Sequence, residues 1–146
     1  MVFGLTSAVP LLRRSGGGTV VATSSLAGLV PLPGDAIYTL TKHAVVGYVR
    51  SAAVTLAAED IRVMALCPGF ADTALIAHVR DQFADFPLLS ADDVAAAVER
   101  MLAEGVPGDA WFVQPGREPS PYRFRGVPGP AGPSEGAPPP PLTWEG

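Results

Sequence analysis

The chain has 146 residues, 48% of them hydrophobic, which is the length of one ordinary domain with enough apolar mass to build a core. A formal charge of −4 with no basic stripe or patch argues against a nucleic-acid or anionic-membrane partner. One cysteine, Cys67, rules out an intramolecular disulfide framework, and neither His43 nor His78 stands at a ligand spacing from it, so no metal site is expected.

Val2 to Arg14 reads as a short helix strained by Pro10 and stopped by Gly16 to Gly18, with Arg13 and Arg14 suiting its negative C-terminal end. Its apolar run has no positive charge before it and is too short to span a bilayer, so neither a signal peptide nor a membrane anchor is expected, and a cytoplasmic protein is. Thr19 to Ser25 is rich in β-branched residues and predicts a buried strand. After a loop holding Pro31, Pro33 and Gly34, Asp35 to about Ala58 is apolar all round, which predicts a helix buried on more than one side, with Gly47 marking close packing. Ile61 to Leu66 is a second strand, ended by Pro68-Gly69. Residues 70 to 89 form an irregular, lid-like stretch with short helical potential around Ala74 to Phe83. Ser90 to Asp93 resembles a capping box before the apolar stripe Val94, Ala97, Val98, Met101 and Leu102, and Gly105 closes that helix. Ala110 to Val113 is a third strand.

Alternating strands and helices mean parallel strands joined by crossovers, hence an open α/β sheet. Ten of the 16 prolines follow Gln114. The division expected is therefore a body over 1–116 and a Pro/Gly-rich, mostly disordered tail over 117–146, in which prolines 138 to 141 are more readily a solvated run than a docking motif.

The chemistry gathers on three element ends. Tyr38 and Lys42, the only lysine, are four apart and share one helix face, so an ammonium stands one turn from a phenol and favours its phenolate. Ser25 lies thirteen residues before Tyr38, at the end of the first strand, where ligands bind in open α/β sheets. Its hydroxyl can hold a carbonyl or alcohol oxygen while Tyr38 transfers the proton. Pro68-Gly69 ends the second strand on the same edge, and Thr73 beyond it either faces that crevice or caps the short helix that follows. Ser24 is the rival serine and reads as a strand residue satisfied by backbone. Cys67 reads as a buried small hydrophobe, His43 as a packing or surface residue, and Trp111 and Phe112 as core or subunit contacts.

The runs Ser25-Leu26-Ala27-Gly28, Tyr38-Thr39-Leu40-Thr41-Lys42 and Pro68-Gly69-Phe70-Ala71-Asp72-Thr73 together resemble the second half of the short-chain dehydrogenase/reductase family, over residues 1–116. The resemblance implies a partial Rossmann-like, doubly wound parallel sheet holding the last three strands, with the N-terminal half missing. It implies an NAD(P)-dependent oxidoreductase that interconverts a small-molecule carbonyl and alcohol, with NAD or NADP as cofactor. Tyr38 is then the acid/base, Ser25 orients the substrate, and Tyr38, Lys42, Pro68, Gly69 and Thr73 flank the nicotinamide and its ribose. It also implies a homo-oligomer paired through the helix at 35–58. Two departures stand beside it: the glycine-rich cofactor motif and the Asn-Asn-Ala-Gly motif do not occur in this chain, and Met1 stands where the family's helix before the serine strand carries an asparagine. The alternative is a non-catalytic remnant or helix-mediated interaction module.

Overall fold

A computed structural model of the chain describes residues 1–132 and Gly136. Its elements are α1 (Val2–Arg14), β1 (Gly18–Thr23), a 3₁₀ turn (Leu26–Gly28), α2 (Ala36–Leu56), a 3₁₀ turn (Ala57–Glu59), β2 (Ile61–Pro68), a 3₁₀ segment (Ala74–Phe83), α3 (Ala91–Glu104), β3 (Ala110–Val113) and β4 (Ser120–Pro121). The sheet runs β1-β2-β3-β4. Its first three strands are parallel, as the α/β alternation requires, and β4 adds an antiparallel edge that the sequence reading did not contain.

Both faces of the sheet are covered, and β2 shows how. Ile61, Val63, Ala65 and Cys67 point to one face, where they pack with Leu5 of α1 and Val46, Val49, Ala53 and Leu56 of α2. Met64 and Leu66 point to the other, where they meet Ala97 and Met101 of α3 with Trp111 and Val113 of β3. The alternation is the period-2 pleat, and a strand buried on both sides has to be apolar throughout. Arg62 is the exception in β2. Its guanidinium reaches past the sheet to Thr19 Oγ1 and to the carbonyls of Leu102 and Gly105, where α3 ends. It thereby satisfies carbonyls that a helix C-terminus leaves without partners.

Local chemistry explains most element ends. Asp35 caps α2 by accepting from the Tyr38 N–H, and Ser90 with Asp93 forms the reciprocal capping box of α3. Pro10 lies inside α1 at an exposed position and leaves the Thr6 carbonyl, four residues back, without its helical N–H partner. Between α1 and β1, Gly17 adopts φ +117° with a place for a Cβ only 2.6 Å from the Asp60 carbonyl, so the turn accepts no other residue without moving.

Two expectations are corrected. The helix at 35–58 is buried on one face only: Ile37 (72%), Leu40 (65%) and Val54 (81%) are largely exposed, and a Cβ on Gly47 would meet open space. The first strand stops at Thr23, because Ser25 leaves the ladder to open the 3₁₀ turn. The segment beyond 116 does not leave the body at once. Ser120 and Pro121 pair with Phe112 and Trp111, the Tyr122 N–H donates to the Ala110 carbonyl, and the Phe124 ring packs on the α2 side of the core with the Arg50 guanidinium 3.8 Å from its centroid. Prolines 138 to 141 lie outside the described residues.

Candidate functional site

The parallel strands bring three C-terminal ends to one edge of the sheet. The Ser24 N–H donates to the Leu66 carbonyl and the Gly69 N–H to the Val113 carbonyl, so the residues after β1, β2 and β3 are stitched side by side. A Cβ on Gly69 would lie 2.8 Å from Gln114 Oε1 and 3.3 Å from Leu26 Cδ1, which places Pro68-Gly69 between the residue after Ser25 and the residue after β3. Gln114 was missed from sequence. Its position immediately past a strand end was the available signal.

Ser25 is extended and half-buried, and its Oγ accepts from the Ala27 N–H at 3.1 Å. That leaves the hydroxyl proton to be donated elsewhere. Tyr38 stands in the first turn of α2, its N–H held at 2.8 Å by Asp35. One turn on, Lys42 Nζ lies 5.4 Å from the Tyr38 ring centroid, so the predicted pair is in place. No carboxylate forms a salt bridge with Lys42 among the described residues, whose ion pairs are Arg13–Glu59, Arg80–Asp72, Arg100–Glu104 and Arg100–Glu118. Ser24 is 4% exposed and donates to the Lys42 carbonyl at 2.9 Å, the backbone partner its reading required. Cys67 is fully buried. Burial pushes its thiol up to about 11, against the hydroxyl of Ser24, the Ser25 backbone and the charge of Lys42, all close enough to pull it down.

Thr73 is exposed at the start of the 3₁₀ segment and makes no side-chain capping bond. His43 is exposed, its ring nitrogen on the Thr39 carbonyl. Beyond Gly69, Phe70 meets Phe83 and Phe86 edge-to-face and those two are tilted to each other, with centroids 4.9 to 6.1 Å apart, and Asp72 pairs with Arg80. A cavity of about 450 Å³ opens there, lined by Asp72, Arg80, Phe83, Phe86, Leu89 and Ser90 among others. Ser25, Tyr38 and Lys42 do not line it. Among the described residues there is no cluster of histidine, cysteine and carboxylate side chains able to hold a metal ion, and no helix long and apolar enough to cross a membrane.

The family model described as short chain dehydrogenase matches residues 1–84. The chain is 40% identical over 68 residues to 15-hydroxyprostaglandin dehydrogenase [NAD(+)] of Homo sapiens, a match covering 45% of this chain and 26% of that protein. It is 37% identical over 73 residues to cyclohexanol dehydrogenase of Acinetobacter sp. (strain SE19), covering 50% and 29%. Among solved structures, 3-ketoacyl-(acyl-carrier-protein) reductase from Brucella melitensis, complexed with NADH, superposes with a TM-score of 0.66 at 30% identity, over 77% of this chain and 50% of that one. The chain thus spans a quarter to a third of the length of these curated relatives and half of that structure. The family match takes in more than half of the chain, and within it fall the two crossover strands, the helix between them, and Ser25, Tyr38, Lys42, Pro68, Gly69 and Thr73; the chain belongs to the short chain dehydrogenase family.

Proposed function

We propose that this chain is the carbonyl-handling part of an NAD(P)-dependent oxidoreductase acting on a small-molecule carbonyl/alcohol pair. The observation that carries the reading is the pairing of Lys42 Nζ with the Tyr38 ring on the helix that packs against the turn opened by Ser25. Ser25 donates its free hydroxyl proton to the substrate oxygen and holds it. Tyr38 gives that oxygen its proton in reduction and takes it back in oxidation. Lys42 stabilises the phenolate left behind, an interaction that gains strength because both groups are half-buried.

Lys42 also fits the nicotinamide end of the cofactor. Three N–H donors in a half-buried position without a carboxylate partner suit ribose hydroxyls, and Tyr38, Pro68, Gly69 and Thr73 are proposed to flank the same end. When bound, the nicotinamide supplies or removes the hydride. The pyrophosphate and adenosine have no glycine-rich loop in this chain to receive them. We extend the reading to a homo-oligomer, supported by the exposed Ile37, Leu40 and Val54 of α2, and to a cytoplasmic setting, supported by the single buried thiol.

The test fuses the chain to the glycine-rich first half of a related reductase and follows NAD(P)H oxidation with a ketone panel. Tyr38→Phe is expected to cut turnover by at least ~10²-fold with cofactor affinity nearly unchanged, whereas Lys42→Ala weakens both. Equal effects of the two changes on cofactor affinity would contradict this division of roles.

A further inference from the structure

Ser25 and the Tyr38/Lys42 pair are on different elements, tethered only by residues 26–35 with Pro31, Pro33 and Gly34 among them. A tether of that composition does not set a distance between side chains to a fraction of an ångström. Something else has to hold α2 against the end of β1. Apolar packing of Val46 and Val49 on the sheet brings the two together, and the polar contact that fixes their register is Ser24. Its Oγ donates at 2.9 Å to the main-chain carbonyl of Lys42, the residue whose side chain faces Tyr38. Its own N–H is fixed in the ladder by the Leu66 carbonyl at 2.7 Å. The buried Cys67 stands next to it on the neighbouring strand, one residue past the Leu66 that holds the Ser24 N–H.

The packing around this bond leaves no slack. A Cβ on Gly28 would sit 2.4 Å from Ser24 Oγ, 2.7 Å from the Lys42 carbonyl oxygen and 3.0 Å from Val46 Cγ2. Gly28 therefore lets the turn that begins at Ser25 lie directly on the Ser24–Lys42 bond, and a side chain there would push the two elements apart. Ser24, Gly28 and the Lys42 carbonyl form one closed contact between the strand end bearing Ser25 and the helix turn bearing Lys42.

We infer that Ser24 is a positioning residue: by anchoring the Lys42 main chain to the end of β1, it sets where the Lys42 ammonium stands relative to Tyr38 and Ser25. The inference rests on the oxidoreductase reading for its catalytic meaning, while the geometry it claims is measurable without turnover. A misplacement of about 1 Å at such a site costs catalysis on the order of 10²-fold, so a single buried hydrogen bond is enough to matter.

Because Lys42 is the only lysine, biosynthetic labelling with [ε-¹³C]lysine gives the full chain a single side-chain signal, shifted by the Tyr38 ring current. Tyr38→Ala defines the signal without that ring. Recorded well below each variant's melting temperature, Ser24→Ala is expected to move the Lys42 signal most of the way to the Tyr38→Ala position, and Ser24→Cys, which keeps a donor, only part of the way. Gly28→Ala, which leaves Ser24 intact but opens the contact, is expected to act like Ser24→Ala and serves if that variant does not fold. A Lys42 signal at its original position in Ser24→Ala or Gly28→Ala, with only the melting temperature lowered, would overturn the inference and leave Ser24 a packing residue. That result would leave the Tyr38→Phe turnover test untouched, and a failed turnover test would leave this geometry standing.

Discussion

Cys67 has no exposed surface, and burial pushes its thiol up to about 11 from an ordinary value of 9.0. Below the ordinary value the thiol is protonated in both the folded and the unfolded chain. Above it the unfolded chain ionises first, so folding stability is lost as pH rises from about 9 to about 11, by at most ~2–3 kcal/mol. Denaturant unfolding at pH 8 and pH 10.5 checks this: the wild-type chain should lose more stability than Cys67→Val, and equal losses would mean the thiol is not held neutral. Among single residues, the Tyr38–Lys42 pair was legible in the sequence, since a four-residue spacing on a helix dictates a shared face. Ser24's partner was not, because a carbonyl eighteen residues away is chosen by how the helix docks rather than by any local pattern.

At the scale of elements, α3 is bounded by interactions of two kinds. Its capping box was readable because Ser90 and Asp93 stand three apart in the chain, and Ala110–Val113 was readable as β3 from its composition and flanking turns. The Arg62 fork at its other end was not readable, since it joins β2 to carbonyls some forty residues later. Arg62→Ala is expected to cost ~1–3 kcal/mol, because the carbonyl of buried Gly105 loses its charged donor while that of exposed Leu102 loses less. Urea unfolding measures it, and Arg62→Lys should recover only part, lacking the fork. Gly47 tests the corrected view of α2. With open space where its Cβ would be in a single copy, Gly47→Ala should raise the stability of the dissociated chain by ~0.5–1 kcal/mol through helix propensity alone, measured below the concentration at which the Leu40 and Val54 face pairs with another copy. A loss of stability in the dissociated chain would mean that this face is packed within one copy. The period of the apolar residues announced the helix but overstated its burial, because exposed Ile37, Leu40 and Val54 look the same in sequence as core residues.

At the scale of the whole molecule, the sheet has two edges of different character. On one side β4, two residues of a segment read from composition as tail, closes the edge by pairing with β3, and Phe124 is anchored under Arg50. Proline density hid this, since Pro121 is an edge-strand proline of the kind a sheet accepts. We propose a dispensable tail beginning later than residue 117. Ending the chain at Gly126 should leave the melting temperature within error, while ending it at Arg117 should lower it by several degrees. On the other side β1 is an uncharged, β-prone edge strand, Gly-Thr-Val-Val-Ala-Thr, with no strand on its outer side among the described residues. Self-association at tens of micromolar is therefore expected by light scattering, and a cooperatively melting monomer would contradict it. In the proposed reaction Ser25, Tyr38 and Lys42 handle the oxygen of a carbonyl that is reduced at its carbon. This is tested with the fused, cofactor-competent protein, a nicotinamide cofactor deuterated at the transferring position and a ketone substrate. The expected product is an alcohol with deuterium on the carbinol carbon, formed by the unaltered protein and lost in Tyr38→Phe. Undiminished deuterium transfer in Tyr38→Phe, or cofactor oxidation that leaves the alcohol without deuterium, would contradict it.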